Sequence, residues 1–339
     1  MRLPDEARAA SPGARLRELL AAPGIVLTPG VTSPFDARIV EEAGFEALFT
    51  TAAGISNARF GVPDLGLTTM SEVVATTEAI AAAVSLPVIA DADTGYGNHL
   101  NAYRAVRELR HAGVGAIALE DQTFPKRCGH FAGKSVVGVG EMIERLTAAR
   151  LARGDGDEVL VARTDAIAVE GLEGALRRAR AYVAAGADVI FVEAPRDHEE
   201  LAAIPAAVDV PCLVNVVEGG RTPQLPADEL EAMGFRIALY ANLALRVAGM
   251  AVKRAMTHLR EEGTSIALID EMLAWDDRQR LAGKEEWDGL DAKVGEIRDQ
   301  VLSDFPEAGG DPPPAAVPSQ PPGVEALASK QTNRSEESS

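Results

Sequence analysis

The stretch "PVIADADTGYGN", residues 87–98, joins a short apolar run to two acidic residues and a glycine-rich turn. A continuous apolar run of this length is typical of a strand that is buried on both faces of a parallel sheet. Seven similar runs occur along the chain, and amphipathic helical segments lie between them. They begin at Ile25, Glu46, Ala116, Glu158, Asp188, Pro211 and Arg236.

This alternation predicts an α/β fold, a (β/α)8 barrel of the TIM type, because eight such units over roughly 230 residues match the size of that fold. An open, doubly wound parallel sheet is the alternative. Several predicted strands end in polar residues, including Asp91, Glu120, Arg163, Glu193 and Asn215. The carboxyl ends of barrel strands converge on one mouth, where active sites lie, so this pattern favours the barrel.

The composition divides the chain into four segments. We expect an N-terminal extension over residues 1–15 and the barrel over residues 16–262. Residues 263–305 predict C-terminal helices whose apolar positions nothing else in the chain covers, so we expect them to pack on a partner subunit. Residues 306–339 are rich in Pro, Gly and Ser, which predicts a disordered tail.

The global composition restricts the classes of function. The chain has 339 residues and a net charge of −18, which opposes binding to nucleic acid or to an anionic membrane surface. No run approaches the roughly 18 apolar residues that a membrane span needs, and the first residues lack the apolar core of a leader sequence. Only two cysteines occur, which argues against a disulfide framework. We therefore expect a cytoplasmic enzyme with a small-molecule substrate.

Asp91 and Asp93 are the strongest candidates for metal ligands. The two-residue period of a strand predicts that both carboxylates lie on one face, toward the barrel axis or its rim, where they repel each other. Mg²⁺ relieves such repulsion, and it prefers a few carboxylates together with water and substrate oxygens. Glu120, at the end of the next strand, is a further candidate ligand. The alternative is that these acids cap helices or pair with arginines.

The stretch "LEDQTFPKRCGHFAGK", residues 119–134, predicts a mobile loop over the mouth, because it follows a strand and contains one proline and two glycines. Lys126, Arg127 and His130 would lower the pKa of the Cys128 thiol. A thiol that titrates near neutrality suits proton transfer. Cys212 lies in an apolar run, so we interpret it as a packing residue.

Four motifs carry a resemblance to the isocitrate lyase and phosphoenolpyruvate mutase superfamily. They are "VPDLGLTT" from Val62, "DADTGYGN" from Asp91, "LEDQTFPKRCGH" from Leu119 and "ARTDA" from Ala162, within a similarity from about Leu16 to about Leu302. The loop around Cys128 resembles that of the carbon–carbon lyases that act on 2-methylisocitrate and 2,3-dimethylmalate. The carboxyphosphonoenolpyruvate mutases share this loop.

The resemblance implies a barrel whose eighth helix is swapped between subunits, so that helix-swapped dimers assemble into a homotetramer. It also implies Mg²⁺, or Mn²⁺ in its place, at Asp91 and Asp93 with support from Asp64 and Glu120. It assigns the catalytic roles to Lys126, Cys128, His130 and Arg163. The substrate-binding residues that it implies are Phe49, Thr51, Ala52, Ala53, Arg127, Gly129, Glu193, Asn215 and Glu218.

The expected activity is a metal-dependent cleavage of a 2-hydroxy di- or tricarboxylate, of the 2-methylisocitrate or 2,3-dimethylmalate type, to pyruvate and a second carboxylate. Two alternatives stay open: a phosphorylmutase or hydrolase that acts on a carbon–phosphorus bond, and a non-catalytic barrel that binds a metabolite. Methylisocitrate and isocitrate lyases usually carry a tyrosine at the position of Phe49. The stretch "NVVEGGRTP", residues 215–223, resembles the seventh strand, and the residues after it, of dimethylmalate lyases and carboxyphosphonoenolpyruvate mutases. Phe49 and the stretch over residues 215–223 both indicate that the substrate can be smaller than methylisocitrate.

Overall fold

The computed structural model describes residues 10–127, 129 and 133–305. Eight parallel strands close into a barrel in chain order, with the last strand paired to the first. The prediction of a (β/α)8 barrel is confirmed, and the open sheet is excluded, since each predicted apolar run contains one strand. The strands are β1 Val26–Val31, β2 Leu48–Thr50, β3 Val88–Asp91, β4 Ala116–Glu120, β5 Val159–Thr164, β6 Val189–Val192, β7 Cys212–Asn215 and β8 Ile237–Tyr240.

Twelve α-helices occur in the described part of the chain, with a short 3-10 helix at Ile266–Glu271 between the tenth and the eleventh. The helices are α1 Pro12–Ala21, α2 Pro34–Glu42, α3 Ala52–Phe60, α4 Met70–Ala81, α5 His99–His111, α6 Val139–Arg153, α7 Ile167–Ala184, α8 His198–Ala206, α9 Ala227–Ala232, α10 Leu243–Glu262, α11 Trp275–Leu281 and α12 Lys284–Asp304.

The core has two parts, as alternation along a barrel strand requires. One layer lies between the strands and the surrounding helices, and it includes Cys212 on β7. The other fills the inside of the barrel with side chains such as Val26, Ile89 and Val159. Leu16 on α1 belongs to this inner cluster and is fully buried, so α1 contributes to the barrel interior although part of it precedes the predicted boundary.

The C-terminal helices differ from the others in their burial. None of the 20 residues of α10 is buried, although this helix follows β8 within the predicted barrel segment. Its exposed apolar side chains include Val247, Met250 and Met256. The chain divides into two compact units, one ending at Glu286 and the other beginning at Trp287. No helix in the described ranges has the length and apolar character needed to span a membrane.

Candidate active site

A pocket lies at the mouth of the barrel, where the carboxyl ends of β2 to β8 and the loops after them meet. Its lining combines acidic, basic and amide side chains with a few apolar ones. Ten lining residues are ones that the sequence predicts, namely Phe49, Thr51, Ala53, Asp64, Asp91, Lys126, Gly129, Arg163, Glu193 and Asn215. The other four are Phe191, Leu239, Ala241 and Asn242.

The wall that β2 forms ends at the N-terminus of α3. Thr51 caps this helix, because its side-chain oxygen accepts a hydrogen bond from the N–H of Gly54 at 3.2 Å. The N–H of Ala52 donates to Asp91 Oδ2 at 3.3 Å. The first N–H groups of a helix lack partners inside it and favour anions. This end of α3 therefore already interacts with a carboxylate in the protein itself.

The backbone that carries Asp91 and Asp93 to the mouth has a different conformation from the predicted one. β3 ends at Asp91, and Asp93 has a φ of 46°, so the regular alternation of a strand does not extend to Asp93. The N–H of Asp93 donates to Asp91 Oδ1 at 3.1 Å, which stabilises a tight turn. The prediction that strand period places both carboxylates on one face is wrong, because a turn brings them close instead. Left-handed backbone at non-glycine residues, here also at Tyr96, concentrates at functional sites.

Lys126 lies between two of the predicted metal ligands. Its Nζ atom lies 2.8 Å from Asp93 Oδ1 and also donates a hydrogen bond to Asp64 Oδ1. Burial alone would lower the pKa of Lys126, but the neighbouring carboxylates, Asp93 first among them, raise that pKa well above its ordinary value. Burial raises the pKa of Asp93 to about 6, with Lys126 opposing the rise. Lys126 is thus a permanent cation between these acids.

Arg163, at the end of β5, lies among three acids. Its Nε atom donates to Asp165 Oδ2 at 2.9 Å and its Nη2 atom donates to Asp165 Oδ1 at 3.2 Å. Nη1 lies 3.4 Å from Glu120 Oε2, and Nε lies 3.8 Å from Glu193 Oε2. The guanidinium carbon lies 5.2 Å from the centre of the Phe191 ring. These contacts fix the guanidinium group in the pocket wall.

Asp165 joins Arg163 to the loop between β4 and α6, residues 121–138. Lys134 Nζ, on that loop, lies 2.7 Å from Asp165 Oδ1 and also donates to the carbonyl oxygen of Gly129. Burial alone would raise the pKa of Asp165, but Arg163 and Lys134 lower it overall. A Cβ atom at Gly129 would lie 2.6 Å from Arg163 Nη2 and 2.6 Å from Glu193 Oε1. The loop therefore approaches the pocket wall so closely that a side chain at position 129 would displace Arg163 or Glu193.

Glu193 and Asn215 form the adjacent part of the wall, as predicted from the ends of β6 and β7. Asn215 Nδ2 lies 3.4 Å from each carboxylate oxygen of Glu193. Asn215 Oδ1 is buried and has no hydrogen-bond partner among the described residues. The amide oxygen is therefore available to a donor in the pocket.

The described part of the site carries more acidic than basic groups. The acids are Asp64, Asp91, Asp93, Glu120, Asp165 and Glu193, and the bases are Lys126, Lys134 and Arg163. Glu120 Oε1 is buried without a hydrogen-bond partner within the described ranges, and burial raises the pKa of Glu120 well above its ordinary value. A set of oxygen donors with excess negative charge fits a hard divalent cation.

No group of three or more His, Cys, Asp or Glu side chains in the described residues is already arranged around a single point for a metal ion. Lys126 accounts for part of this, since its ammonium group contacts both Asp64 and Asp93. A cation bound by these two acids would compete with Lys126 for the same oxygen atoms.

Several predicted site residues lie elsewhere. The Arg127 side chain is exposed and absent from the lining, and the backbone of Arg127 is bound by Gln122. Glu218 also lies outside the lining, and its carboxylate is 3.4 Å from Arg246 Nη1. Cys128 and His130 fall outside the residues that the structure describes, so their predicted roles stay predictions.

The sequence analysis assigned no role to Asp165, Lys134, Phe191 or Asn242. The sequence contains a signal for two of these residues, because both lie just after the end of a strand. Asp165 is two residues beyond Arg163 on β5, and Asn242 follows the end of β8. Nothing in the local pattern indicates that Lys134 pairs with Asp165, because the two residues are 31 positions apart.

Comparisons with known proteins agree with this geometry. The chain matches the protein family described as phosphoenolpyruvate phosphomutase over residues 16–260. It is 42% identical over 273 residues to 2,3-dimethylmalate lyase from Eubacterium barkeri, covering 80% of this chain and 94% of that protein. It is 43% identical over 279 residues to probable 2-methylisocitrate lyase 2 from Corynebacterium glutamicum, covering 82% of this chain and 91% of that protein.

A solved structure of oxaloacetate acetylhydrolase in complex with the inhibitor 3,3-difluorooxalacetate superposes with a TM-score of 0.81 at 35% identity. The superposition covers 84% of this chain and 97% of that chain. The predicted superfamily is confirmed. The chain therefore belongs to the phosphoenolpyruvate phosphomutase family, in the superfamily of phosphoenolpyruvate mutases and isocitrate lyases, and it is an enzyme of that superfamily.

Proposed function

We propose that this enzyme is a carbon–carbon lyase that cleaves a small 2-hydroxy di- or tricarboxylate with the help of Mg²⁺ or Mn²⁺. The observation that carries the proposal is the cluster of buried carboxylates at the barrel mouth, facing Lys126 and Arg163 in a pocket that includes the N-terminus of α3. The two curated relatives named above are lyases of 2,3-dimethylmalate and 2-methylisocitrate. Their names support the same reaction class.

Asp64, Asp91, Asp93 and Glu120 would hold the cation, because they are the acids on the β2–β4 side of the pocket. When bound, the cation would supply Lewis-acid stabilisation of charge on the substrate oxygens at C1 and C2. The unpartnered Glu120 Oε1 and the excess of acids over bases in the described site support this assignment. Lys126 would be the residue whose position depends on the cation.

The protein would bind the substrate carboxylates through groups on several strands. The N–H of Ala53 would donate to a substrate carboxylate at the positive end of the α3 dipole, whereas the N–H of Ala52 would have to leave Asp91 Oδ2 to do so. The Arg163 guanidinium offers a second cationic contact. Asn215 Oδ1 offers an acceptor for a substrate hydroxyl. These groups would orient the bond between C2 and C3 before it breaks.

In the proposed reaction the C2 hydroxyl gives its proton to one of the carboxylates at the barrel mouth, and the bond between C2 and C3 breaks. The oxygen electrons form the carbonyl of pyruvate or a related 2-oxo acid, and the electron pair of the broken bond stays on C3 of the departing carboxylate. We propose that the Cys128 thiol delivers a proton to that carbon, with Lys126 and His130 close to it in sequence as groups that favour thiolate formation. Arg163 would stabilise the negative charge that develops on the departing half.

Phe49 bears on substrate size. It lines the pocket and is only 4% exposed, so the ring serves both the inner core and the site. A phenyl ring offers no hydroxyl to a substrate carboxylate at this position. We therefore propose a substrate of the dimethylmalate type in preference to methylisocitrate.

We also propose that the protein assembles as a homotetramer of helix-swapped dimers. The support is α10, which buries none of its residues and leaves Val247, Met250 and Met256 exposed. Apolar patches of this kind mark interaction sites. Light scattering coupled to size-exclusion chromatography would give the mass, and a monomer at micromolar concentration would contradict the proposal.

The function is tested with a panel of acids assayed with Mg²⁺ for release of pyruvate, glyoxylate or oxalate and for formation of phosphoenolpyruvate. The panel contains 2,3-dimethylmalate, 2-methylisocitrate, isocitrate, oxaloacetate and phosphonopyruvate. We expect dimethylmalate to be cleaved with the highest kcat/KM and phosphonopyruvate to be inert. Turnover of phosphonopyruvate alone would favour the phosphorylmutase or hydrolase alternative, and no turnover of any acid would favour the non-catalytic one.

A further inference from the structure

Gln122 is a buried side chain to which the proposed chemistry gives no role. It lies in the loop that follows β4 and is 1% exposed. Its Oε1 atom accepts a hydrogen bond from the N–H of Arg127 at 3.0 Å, and its Nε2 atom donates to the Arg127 carbonyl oxygen at 2.8 Å. One side-chain amide therefore satisfies both backbone groups of a single loop residue.

Gln122 is itself held firmly. It forms an antiparallel bridge with Val136, and the flanking hydrogen bonds run from Thr123 N to the Ser135 oxygen and from Val137 N to the Asp121 oxygen. The carbonyl oxygen of Gln122 also accepts a hydrogen bond from Arg145 Nη1 at 3.3 Å. The side chain thus projects from a hydrogen-bonded β-bridge at the base of the loop.

The effect of Gln122 reaches the pocket through one peptide unit. The Arg127 side chain is exposed, and Arg127 is not among the residues that line the pocket in the described part of the chain. The residue before it, Lys126, is buried and places Nζ against Asp64 and Asp93. Fixing the Arg127 backbone therefore restricts the direction in which the Lys126 side chain leaves the chain.

We propose that Gln122 is a positioning residue that holds Lys126 in the active site through the backbone of Arg127. The catalytic part of this inference rests on the proposed function, whereas the structural part does not. Lys134 holds the other side of the loop separately, through the Gly129 carbonyl and Asp165, so loss of Gln122 should release the segment around Lys126 and Arg127 alone.

Trypsin provides a direct test, because it cuts after Lys126 and Arg127 when that segment opens and after Lys134 only when the second anchor is also lost. In Gln122→Met the side chain keeps its approximate size but offers neither hydrogen bond. We expect cleavage after Lys126 and Arg127 to become about 10-fold faster, the size expected for two lost hydrogen bonds when cleavage follows the open population. The bond after Lys134 should stay intact, with the sites identified by mass spectrometry.

Thr123→Val is the matched control, since Thr123 is the next residue and has no role in the proposed site. Its cleavage pattern and kcat should equal those of the unchanged chain.

For Gln122→Met we expect kcat on the best acid of the panel to fall about 10-fold while KM changes less than about twofold, because the groups on α3 and β5 are untouched. Gln122→Glu keeps the acceptor for the Arg127 N–H but places a carboxylate oxygen against the Arg127 carbonyl oxygen, so cleavage after Lys126 and Arg127 should be at least as fast as in Gln122→Met.

The outcomes separate the two proposals. Equal cleavage rates after Lys126 and Arg127 in the unchanged chain and in Gln122→Met would overturn the positioning role, and so would faster cleavage after Lys134 to the same degree, since that indicates general unfolding. If Gln122→Met does not fold, Gln122→Glu carries the same comparison. If the unchanged chain turns over none of the acids, the proposed function fails, and the trypsin comparison still decides the role of Gln122.

Discussion

The two ends of the barrel are built from the same strands and differ completely in chemistry. On β5, Val159 and Val161 point into the apolar inner cluster, whereas Arg163, two residues further, lies among carboxylates at the mouth. On β3, Ile89 likewise belongs to the inner cluster, whereas Asp91, two residues further, lines the pocket at the mouth. The lower part is packed with apolar side chains and closed by Leu16, and the mouth collects charges that burial disfavours. Stability is thus concentrated at one end and reactivity at the other.

The largest effect is expected from Asp93→Ala at the mouth. Loss of a cation ligand should lower kcat/KM roughly 10⁴-fold, because Lewis-acid stabilisation contributes several kcal/mol to the transition state. The melting temperature should fall only slightly, because Lys126 loses the contact with Asp93 but keeps the contact with Asp64. Calorimetric titration with Mn²⁺ should show weaker binding than in the unchanged chain, and a chelator should abolish turnover of that chain. Full activity in excess chelator would contradict the metal site.

Cys128→Ser should produce the next largest effect. A serine hydroxyl cannot titrate near neutrality, so loss of a general acid should lower the cleavage rate about 10²- to 10⁴-fold. Binding of Mg²⁺ and pyruvate should persist, since neither the acids nor the α3 terminus changes. The cleavage rate and the pyruvate dissociation constant provide the check. A variant that retains more than about a tenth of the parent rate, outside the range for a lost general acid, would show that Cys128 is not the acid.

Leu16→Ala tests the opposite end. Leu16 is fully buried, so the free energy of unfolding should fall by about 2–5 kcal/mol. The kcat of the remaining folded enzyme should stay within about twofold of the parent value, because the mouth is untouched. Denaturant unfolding and steady-state kinetics measure the two quantities. A large loss of kcat without loss of stability would break the distinction between the two ends.

We expect Cys212 on β7 to have the smallest effect on function. Burial raises the pKa of its thiol to about 12, so folding disfavours the thiolate and the free energy of unfolding should fall as the pH rises from about 9 toward 12. In the Cys128→Ser background, a thiol reagent at pH 8 should not react with the native protein and should react promptly in denaturant. Rapid labelling of the native variant would show that Cys212 is accessible.

The sequence alone determined the fold and most of the pocket. Eight short apolar runs are typical of strands covered on both sides, and their alternation with helical segments predicts that those strands are parallel. The polar residues at the strand ends then had to meet at one mouth, which is why Asp91, Arg163, Glu193 and Asn215 line the pocket. These features follow from local periodicity, which the sequence displays directly.

Only the tertiary structure decided the pairing of charges. The turn at Asp93, the insertion of Lys126 between Asp64 and Asp93, and the contact of Lys134 with Asp165 join residues that are far apart in the chain or break the local period. The two hydrogen bonds between the amide of Gln122 and the backbone of Arg127 likewise form only in the folded loop. Charge pairing depends on distances across a folded loop, and no periodic signal in the sequence encodes those distances.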